Sequence, residues 1–228
     1  MIVAFDTVFE QCSLAVLVDD ELVYSDTIMG GRGQTEIILP MLDRAFTTLG
    51  IGVADVQAWA FNRGPGAFSG IRINTAVVQA LSVANDAPCV GVSALQALAF
   101  AAAGADVPHG RRIAAVMDAR QNQVYAGIFV VSEAGIVPAV DDGNHEYLLD
   151  YDGAVNADYV VGDGTKLVQH TATMIDIKPT AEHIARLAGL IQAAGGAVSA
   201  ENALPVYLRN NAWKTLAEQV AEKQSIKK

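Results

Sequence analysis

The chain opens with three short apolar runs, each bounded by acidic or turn-forming residues. They cover residues 1–6, 12–18 and 22–28, and Asp19-Asp20 separates the second run from the third. Runs of this length, rich in β-branched residues, are typical of strands. Because the connections are too short for crossovers, we predict a three-stranded antiparallel meander.

The next part of the chain mixes helical and strand patterns. Apolar residues recur with a helical period until Gly50, a residue that commonly ends a helix. Further on, short apolar runs alternate with longer helical ones. The pattern predicts strands at 56–61 and 90–92 and helices at 35–49, 71–84 and 94–103.

The pattern then restarts in the second half of the chain. Superposing Asp118 on Asp6 aligns an apolar run before each aspartate, and it aligns residues 127–130 with 15–18. Both halves thus open with a strand, an acidic residue, a turn and a second strand. This repetition indicates an internal duplication.

A cluster of turn-forming residues at 104–110 separates the two halves. We therefore predict an N-terminal lobe, residues 1–104, and a C-terminal lobe, residues 105–228. Each lobe would combine a mixed sheet with flanking helices, and the two would face each other across a cleft. The predicted fold class is α/β.

Residues 61–74, with the sequence FNRGPGAFSGIRIN, connect a predicted strand to a predicted helix and look like a phosphate-binding loop. A P-loop needs a lysine after its second glycine, but the first lysine of the chain is Lys166. The dinucleotide fingerprint requires one residue fewer between Gly66 and Gly70. We interpret Ser69 as the N-cap of the following helix. The spacing favours a structural or interface role over an anion site.

Two aspartates occupy equivalent places in the repeat. Asp6 and Asp118 would point toward each other from the two lobes, a geometry suited to a nucleotide with its metal ion. Alternatively, each carboxylate caps a tight turn. The turn is slightly favoured, since neither aspartate sits beside a glycine that would admit a phosphate, and the nucleotide interpretation stays open.

Two predicted helices carry more apolar surface than one buried face requires. Between Ile71 and Ala84, apolar residues cover most of the circumference, and in the preceding helix Ile37 and Met41 extend an apolar side that includes Ile38. Either both helices are enclosed within the lobe, or their outer faces bind a second protein. The pattern alone does not choose between the two.

Composition excludes several classes of function. A net charge of −10 argues against a protein that binds RNA on its own, because phosphate binding needs clustered Lys and Arg. Cys12 and Cys89 form no Cys-x-x-Cys pair, and neither a signal peptide nor a membrane span is recognisable. We therefore predict a reduced, cytoplasmic protein without membrane contact. The four histidines lack metal-ligand spacing, so we predict no metal site and no catalytic residues.

Several motifs appear in an order that is shared with one known family. The most specific is GPGAFSGIRI at residues 64–73, and weaker ones are AFDT at 4–7, LPM at 39–41, DAR at 118–120 and PVYLR at 205–209. In these motifs the chain closely resembles the bacterial TsaB family, also called YeaZ. The residues that carry the loop motif are Arg63, Gly64, Pro65, Gly66, Phe68 and Gly70.

The resemblance implies an actin-like (ASKHA, ribonuclease-H-like) two-lobed fold. It also implies a non-catalytic subunit of the complex that forms threonylcarbamoyladenosine at position 37 of ANN-decoding tRNAs. The expected partners are a TsaD-type catalytic subunit, a TsaE-type ATPase and, for the free protein, a second copy of the chain. Contact with tRNA would occur only through the complex. The chain by itself is expected to bind no cofactor, and ATP or ADP would belong to a partner interface.

The resemblance further implies that the two N-terminal helices face the partner and that the terminal helix packs back on the N-terminal lobe. The loop would then set the start of the partner-facing helix. Asp6 and Asp118 are candidates for a vestigial nucleotide cleft. The expected interface residues are Ile37, Ile38, Met41, Arg72, Ile73, Ala76, Val77 and Ala80.

Two departures from related patterns bear on these expectations. The catalytic relative carries a metal-binding Asn-His-Leu-Glu-Gly-His motif, and here Ala94 and Leu98 occupy the positions of its two histidines. Neither side chain can bind a metal, which also disfavours an independent metallopeptidase. Gln34 stands where a TsaB-like histidine is expected, so any role of that side chain is in doubt. The competing hypothesis is an independent ATP-dependent small-molecule kinase of the actin-like class, which facing aspartates would favour.

Overall fold

The computed structural model describes residues 1–30, 33–133, 135–139 and 145–209 of the chain, which contain two β-sheets and four α-helices. The first sheet contains β1 (Ile2–Asp6), β2 (Gln11–Val18), β3 (Glu21–Met29), β4 (Ala58–Asn62) and β5 (Cys89–Val92). The second contains β6 (Arg112–Arg120), β7 (Gln123–Ser132), β8 (Gly135–Pro138), β9 (Glu146–Asp150), β10 (Tyr159–Val161) and β11 (Thr173–Ile175). The helices are α1 (Gln34–Leu49), α2 (Phe68–Asn85), α3 (Ala94–Ala103) and α4 (Ala181–Ala193).

The two sheets share one topology. The strand order is β3-β2-β1-β4-β5 in the first sheet and β8-β7-β6-β10-β11 in the second, with β9 pairing on β7. In each sheet the first strand is antiparallel to the second and parallel to a later one. The predicted meander and the internal duplication are therefore confirmed.

The helices that follow each sheet cross over to the other one. Helix α3 comes directly after the first sheet, yet it packs on β6 and β7 of the second. Helix α4 comes after the second sheet and packs on β1, β2, β4 and β5 of the first. A division at residue 104 thus separates the two sheets. The helices do not follow this division, because α3 of the first half covers the second sheet and α4 of the second half covers the first. The predicted terminal helix falls within residues 210–228, outside the described residues.

Helices α1 and α2 lie side by side on the face of the first sheet opposite α4. Gly50 ends α1 in a left-handed conformation with φ 68°, and its N–H donates to the carbonyl of Phe46, as expected for a helix stop. Helix α2 begins three residues earlier than predicted. Its N-cap is Ala67, so the prediction that Ser69 caps the helix is wrong: Ser69 already lies in the first turn.

Cys12 and Cys89 are both fully buried in the core beneath the first sheet. Within the described residues no helix combines the length and the apolar character needed to cross a bilayer.

Candidate functional site

Two glycines of the 61–74 loop, Gly66 and Gly70, pack closely against the β1–β2 turn. A Cβ on Gly70 would lie 2.0 Å from the carbonyl oxygen of Thr7, and one on Gly66 would lie 2.3 Å from Cγ1 of Val8. The Gly66 backbone has φ 153°, which other residues rarely adopt. The space beside both glycines is therefore filled by the chain itself. This packing does not fit a phosphate cradle.

Asp6 lies at the end of β1 and is fully buried. Its Oδ1 accepts hydrogen bonds from the N–H of Val8 at 2.9 Å and from Nδ2 of Asn62 at 3.0 Å, while its Oδ2 accepts one from Nε2 of Gln11 at 3.3 Å. Burial raises the pKa of the Asp6 carboxyl to about 6, against the opposing effect of these hydrogen bonds. The carboxylate thus caps a turn inside the protein.

Asp118, the equivalent residue of the second lobe, makes the same turn in a different environment. Its Oδ1 accepts from the N–H of Arg120 and from the hydroxyl of Tyr151, both at 2.8 Å, and its Oδ2 pairs with the Arg120 guanidinium at 2.8 Å. Partial burial acts to raise the pKa of Asp118, but the hydrogen bonds and the positive charge of Arg120 outweigh it and lower the pKa overall. The turn-capping interpretation is confirmed for both aspartates.

The two aspartates do not face each other, contrary to the prediction. A cleft of about 980 Å³ lies between the lobes, and Asp118 lines it, whereas Asp6 does not. Asp6 is instead enclosed by the β1–β2 turn, β4 and the start of α4, through Asn62 and through Gln11, which also contacts the carbonyl of Pro179. A nucleotide–metal complex held between the two carboxylates is therefore incompatible with this geometry.

The cleft itself carries balanced charge. Among the described lining residues, four are cationic and four are acidic, and Arg120 is paired with Asp118. The charged lining residues are Arg72, Arg120, Lys178 and Arg209 on the positive side and Glu10, Asp118, Asp163 and Asp176 on the negative side. The described part of the lining thus lacks the excess of positive charge that would attract a polyphosphate.

Helix α2 presents an apolar surface to solvent. Ala76 and Ala80 are exposed, as is Arg72, and Val83 is 76% exposed. Ile73 and Val77 are half-buried because they also pack against the core of the lobe. We call the surface formed by Ile73, Ala76, Val77, Ala80 and Val83 the outer α2 face. Val83 was not among the predicted interface residues.

The predicted interface residues of α1 are more buried than those of α2. Ile37 is half-buried, but Ile38 and Met41 are only 1% and 0% exposed and belong to the core under the first sheet. Assigning these two to a partner surface was wrong, because they point toward the sheet rather than away from it. The contacts of the remaining residues with a partner stay a prediction.

Helix α3 carries the positions that correspond to metal ligands in the catalytic relative. Ala94 and Leu98 lie in this helix, and both are buried against the second sheet. Across the described ranges, no group of three or more His, Cys, Asp or Glu side chains could hold a metal ion.

Gln34 has a structural role that the sequence did not reveal. The side chain is buried at the start of α1, and its Nε2 donates to the carbonyls of Thr7 at 3.0 Å and Gln11 at 2.7 Å. Thr7 and Gln11 were also not recognised. Apart from the contact of Gln11 with Asp6, their partners lie 23 to 168 residues away in the chain, so no local pattern could identify them.

Comparisons with known proteins agree with this architecture. The sequence model of the family described as TsaD, tRNA N6-adenosine threonylcarbamoyltransferase, matches residues 29–224. The tRNA threonylcarbamoyladenosine biosynthesis protein TsaB of Escherichia coli K12 is 34% identical over 94% of this chain and 97% of its own length. The TsaB protein of Haemophilus influenzae is 31% identical over 94% and 96%.

A solved structure gives the same result. YeaZ from Pseudomonas aeruginosa superposes with a TM-score of 0.81 and 34% identity, and the match covers 91% of this chain and 99% of that one. The match extends over both lobes, which agrees with the duplicated topology. The chain therefore belongs to the TsaB (YeaZ) family.

Proposed function

We propose that this protein is a non-catalytic subunit in the synthesis of threonylcarbamoyladenosine at position 37 of ANN-decoding tRNAs. Its relatives in Escherichia coli and Haemophilus influenzae are tRNA threonylcarbamoyladenosine biosynthesis proteins. The protein works in the cytoplasm, where it binds a TsaD-type catalytic subunit and a TsaE-type ATPase. The tRNA is held by the complex as a whole.

The observation that carries the non-catalytic role is the chemistry of α3. Ala94 and Leu98 stand where the catalytic relative has metal-binding histidines, and both are buried among the apolar residues of the second lobe. Neither side chain has a lone pair to offer a metal ion. Metal-dependent transfer at this position would therefore need another subunit.

The kinase hypothesis receives no support from the site. That hypothesis required two facing aspartates, but Asp6 lies outside the cleft. The space beside Gly66 and Gly70, where a phosphate would approach, is filled by the β1–β2 turn. We therefore propose that any ATP or ADP in the complex lies at an interface with a partner and is held mainly by that partner.

The outer α2 face is the proposed docking surface for the catalytic subunit. Exposed apolar side chains on one helix are costly in water and gain free energy when a partner covers them. The same face would bind a second copy of the chain when the catalytic subunit is absent. The lobe of a second copy is related to that of the catalytic subunit, and related lobes offer similar docking surfaces.

The function is tested by depleting the protein in its own organism. Bulk tRNA is digested to nucleosides, and threonylcarbamoyladenosine is measured by mass spectrometry. We expect its level to fall on depletion and to recover when the gene is supplied again. Unchanged threonylcarbamoyladenosine in depleted cells, together with no association between the purified chain and the catalytic subunit, would show that the proposed function is wrong.

The docking face is tested with Ala80→Asp. Ala80 is exposed, so the change should leave folding intact, whereas Val77→Asp would also disturb the core. A carboxylate within an apolar interface should weaken the affinity for the catalytic subunit at least about tenfold, and it should abolish the homodimer. Leu190→Asp is the matched control, because Leu190 is 48% exposed on α4, on the opposite side of the first sheet. If Ala80→Asp binds as tightly as the control, the interface lies on another face.

A further inference from the structure

Most of the buried polar side chains in the described residues are concentrated at one place, around the β1–β2 turn. Burying polar groups is unfavourable unless they are hydrogen-bonded, so a cluster of them at a single turn needs a physical reason. We call the cluster the turn network. It consists of Asp6, Thr7, Gln11, Ser13, Gln34, Asn62 and Asn74.

Thr7 joins the two N-terminal helices directly. Its hydroxyl donates to the carbonyl of Gly70 in the first turn of α2 at 2.6 Å, and its own carbonyl accepts from Nε2 of Gln34 in the first turn of α1 at 3.0 Å. The same Nε2 group reaches the carbonyl of Gln11 at 2.7 Å. The starts of α1 and α2 are thus held by two neighbouring atoms of one residue.

The network continues into the elements behind these helices. Gln11 donates to the carbonyl of Pro179 at 2.7 Å, and the N–H of Ala181 donates to the hydroxyl of Ser13 at 2.9 Å, so the start of α4 is held as well. Asn62 accepts from the N–H of Gly64 at 3.0 Å, which ties the loop before α2 to the same turn. One turn therefore fixes the starting points of three helices.

The packing around Thr7 leaves little room for adjustment. Gly70 approaches so closely that a single added carbon would lie 2.0 Å from the Thr7 carbonyl oxygen. Oδ1 of Asn74 has no hydrogen-bond partner, whereas the donors of Thr7 and Gln34 are paired. Paired groups in a buried network hold one arrangement of the surrounding elements, and losing one donor leaves its acceptors unpaired. The relative placement of α1 and α2 thus depends on a few specific donors.

We propose that Thr7 and Gln34 are positioning residues for docking: Thr7 holds the start of α2, and Gln34 holds Thr7 beside the start of α1, so that the outer α2 face is already in its bound arrangement in the free protein. The inference rests on the proposed function for the identity of the partner. Preorganisation of this kind increases affinity because less ordering is required on binding. Neither side chain needs to touch the partner, since both are buried.

The test uses two variants of nearly unchanged shape. Thr7→Val removes the hydroxyl, and Gln34→Met removes the amide donors at similar length. Thr7→Ser keeps the hydroxyl and serves as the conservative variant. Val160→Ala is the matched control, because Val160 is fully buried in the core of the second lobe, away from α1 and α2. We expect Val160→Ala to lower the thermal midpoint of unfolding, so this variant shows how destabilisation alone affects binding.

The readouts are the dissociation constant for the catalytic subunit, measured well below the unfolding midpoint of every variant, and amide hydrogen exchange of residues 34–42 and 68–75. We expect Thr7→Val and Gln34→Met to bind about tenfold more weakly and to exchange faster at the starts of both helices. Thr7→Ser and Val160→Ala should match the wild type in both measurements.

Two results would overturn the inference. One is unchanged affinity and exchange in Gln34→Met; the other is an equal loss of affinity in Val160→Ala, which would mean that stability alone controls binding. If the wild-type chain itself fails to bind the catalytic subunit, the proposed docking partner is wrong. The exchange pattern then decides the inference by itself: faster exchange confined to the two helix starts supports it, and an unchanged pattern contradicts it.

Discussion

Asp6 and Asp118 show how one motif behaves in two environments. Asp6 ends β1 and Asp118 lies near the end of β6, and both carboxylates accept a hydrogen bond from the N–H two residues later. The turn of Asp6 is closed in by α2, α1 and α4, whereas that of Asp118 borders the cleft and is neutralised by Arg120. The pKa of the Asp6 carboxyl is raised, and that of the Asp118 carboxyl is lowered.

The difference lies in the surroundings rather than in the turn. In the first lobe the helices packed around the turn exclude water, and the partners of the carboxylate are neutral amides and an N–H. In the second lobe a guanidinium and a phenol stabilise the ionised form. Duplication therefore preserved the turn while the surroundings changed its electrostatics in opposite directions.

The tightness of the two turns can be compared with glycine substitutions. Gly70→Ala should lose about 4 kcal/mol of unfolding free energy or more, because the new carbon would meet the backbone of Thr7 at 2.0 Å. Gly164→Ala, beside Asp118, should lose about 2 kcal/mol of unfolding free energy, since the atoms nearest to the added Cβ would lie 2.9 Å from it. Gly52→Ala, with no neighbour closer than 3.9 Å, serves as the control. Urea unfolding measures all three, and equal losses at Gly70 and Gly164 would contradict the comparison.

The raised pKa of Asp6 predicts a specific pH dependence. With a folded-state pKa of about 6 against an ordinary 3.8, the folded protein holds the proton more tightly than the unfolded chain. The resulting stabilisation is complete below the unfolded pKa and is lost as the pH rises through the folded one. Between pH 4.5 and 7.5 the wild type should lose about 2 kcal/mol relative to Asp6→Asn.

This prediction is checked by urea unfolding of both proteins at several pH values. The difference between the unfolding free energies of wild type and variant at each pH cancels the contributions of the other carboxylates. A difference that stays constant from pH 4.5 to 7.5 would mean that the pKa of Asp6 is not raised in the folded protein.

Asp118→Asn should give a smaller effect of the opposite sign. Because the folded pKa of Asp118 is lowered, its stabilisation is present above the unfolded pKa and is lost as the pH falls through the folded one. Arg120 is 82% exposed, so the ion pair should contribute less than about 1 kcal/mol. Urea unfolding extended down to pH 3 measures it. If the advantage of the wild type over the variant grows at low pH, the assignment of opposite environments is incorrect.

The fold was largely predictable from the sequence because strands, helix stops and the internal repeat are local patterns. The meander, the end of α1 at Gly50 and the duplication around Asp118 all follow from neighbouring residues. The surface of α1 was not predictable in the same way. Ile38 and Met41 belong to an apolar pattern that does not show which side meets the sheet.

The turn network was beyond sequence reasoning for another reason. Gln34 looked like a departure from a family pattern, and its role depends on two carbonyls that come close only in the folded chain. The crowding at Gly70 likewise requires the β1–β2 turn to be in place. Polar contacts between distant segments leave no periodic signal, whereas burial of apolar faces does.

The exchange of helices between the lobes has a consequence for synthesis on the ribosome. About 90 residues separate β5 from α4, so at 5–20 residues per second the alanine-rich face of the first sheet waits roughly 5 to 20 s for its covering helix. Helix α3 likewise emerges before β6 and β7, the strands that it covers. Neither half of the nascent chain can complete its core alone, so the two lobes of this protein must finish folding together.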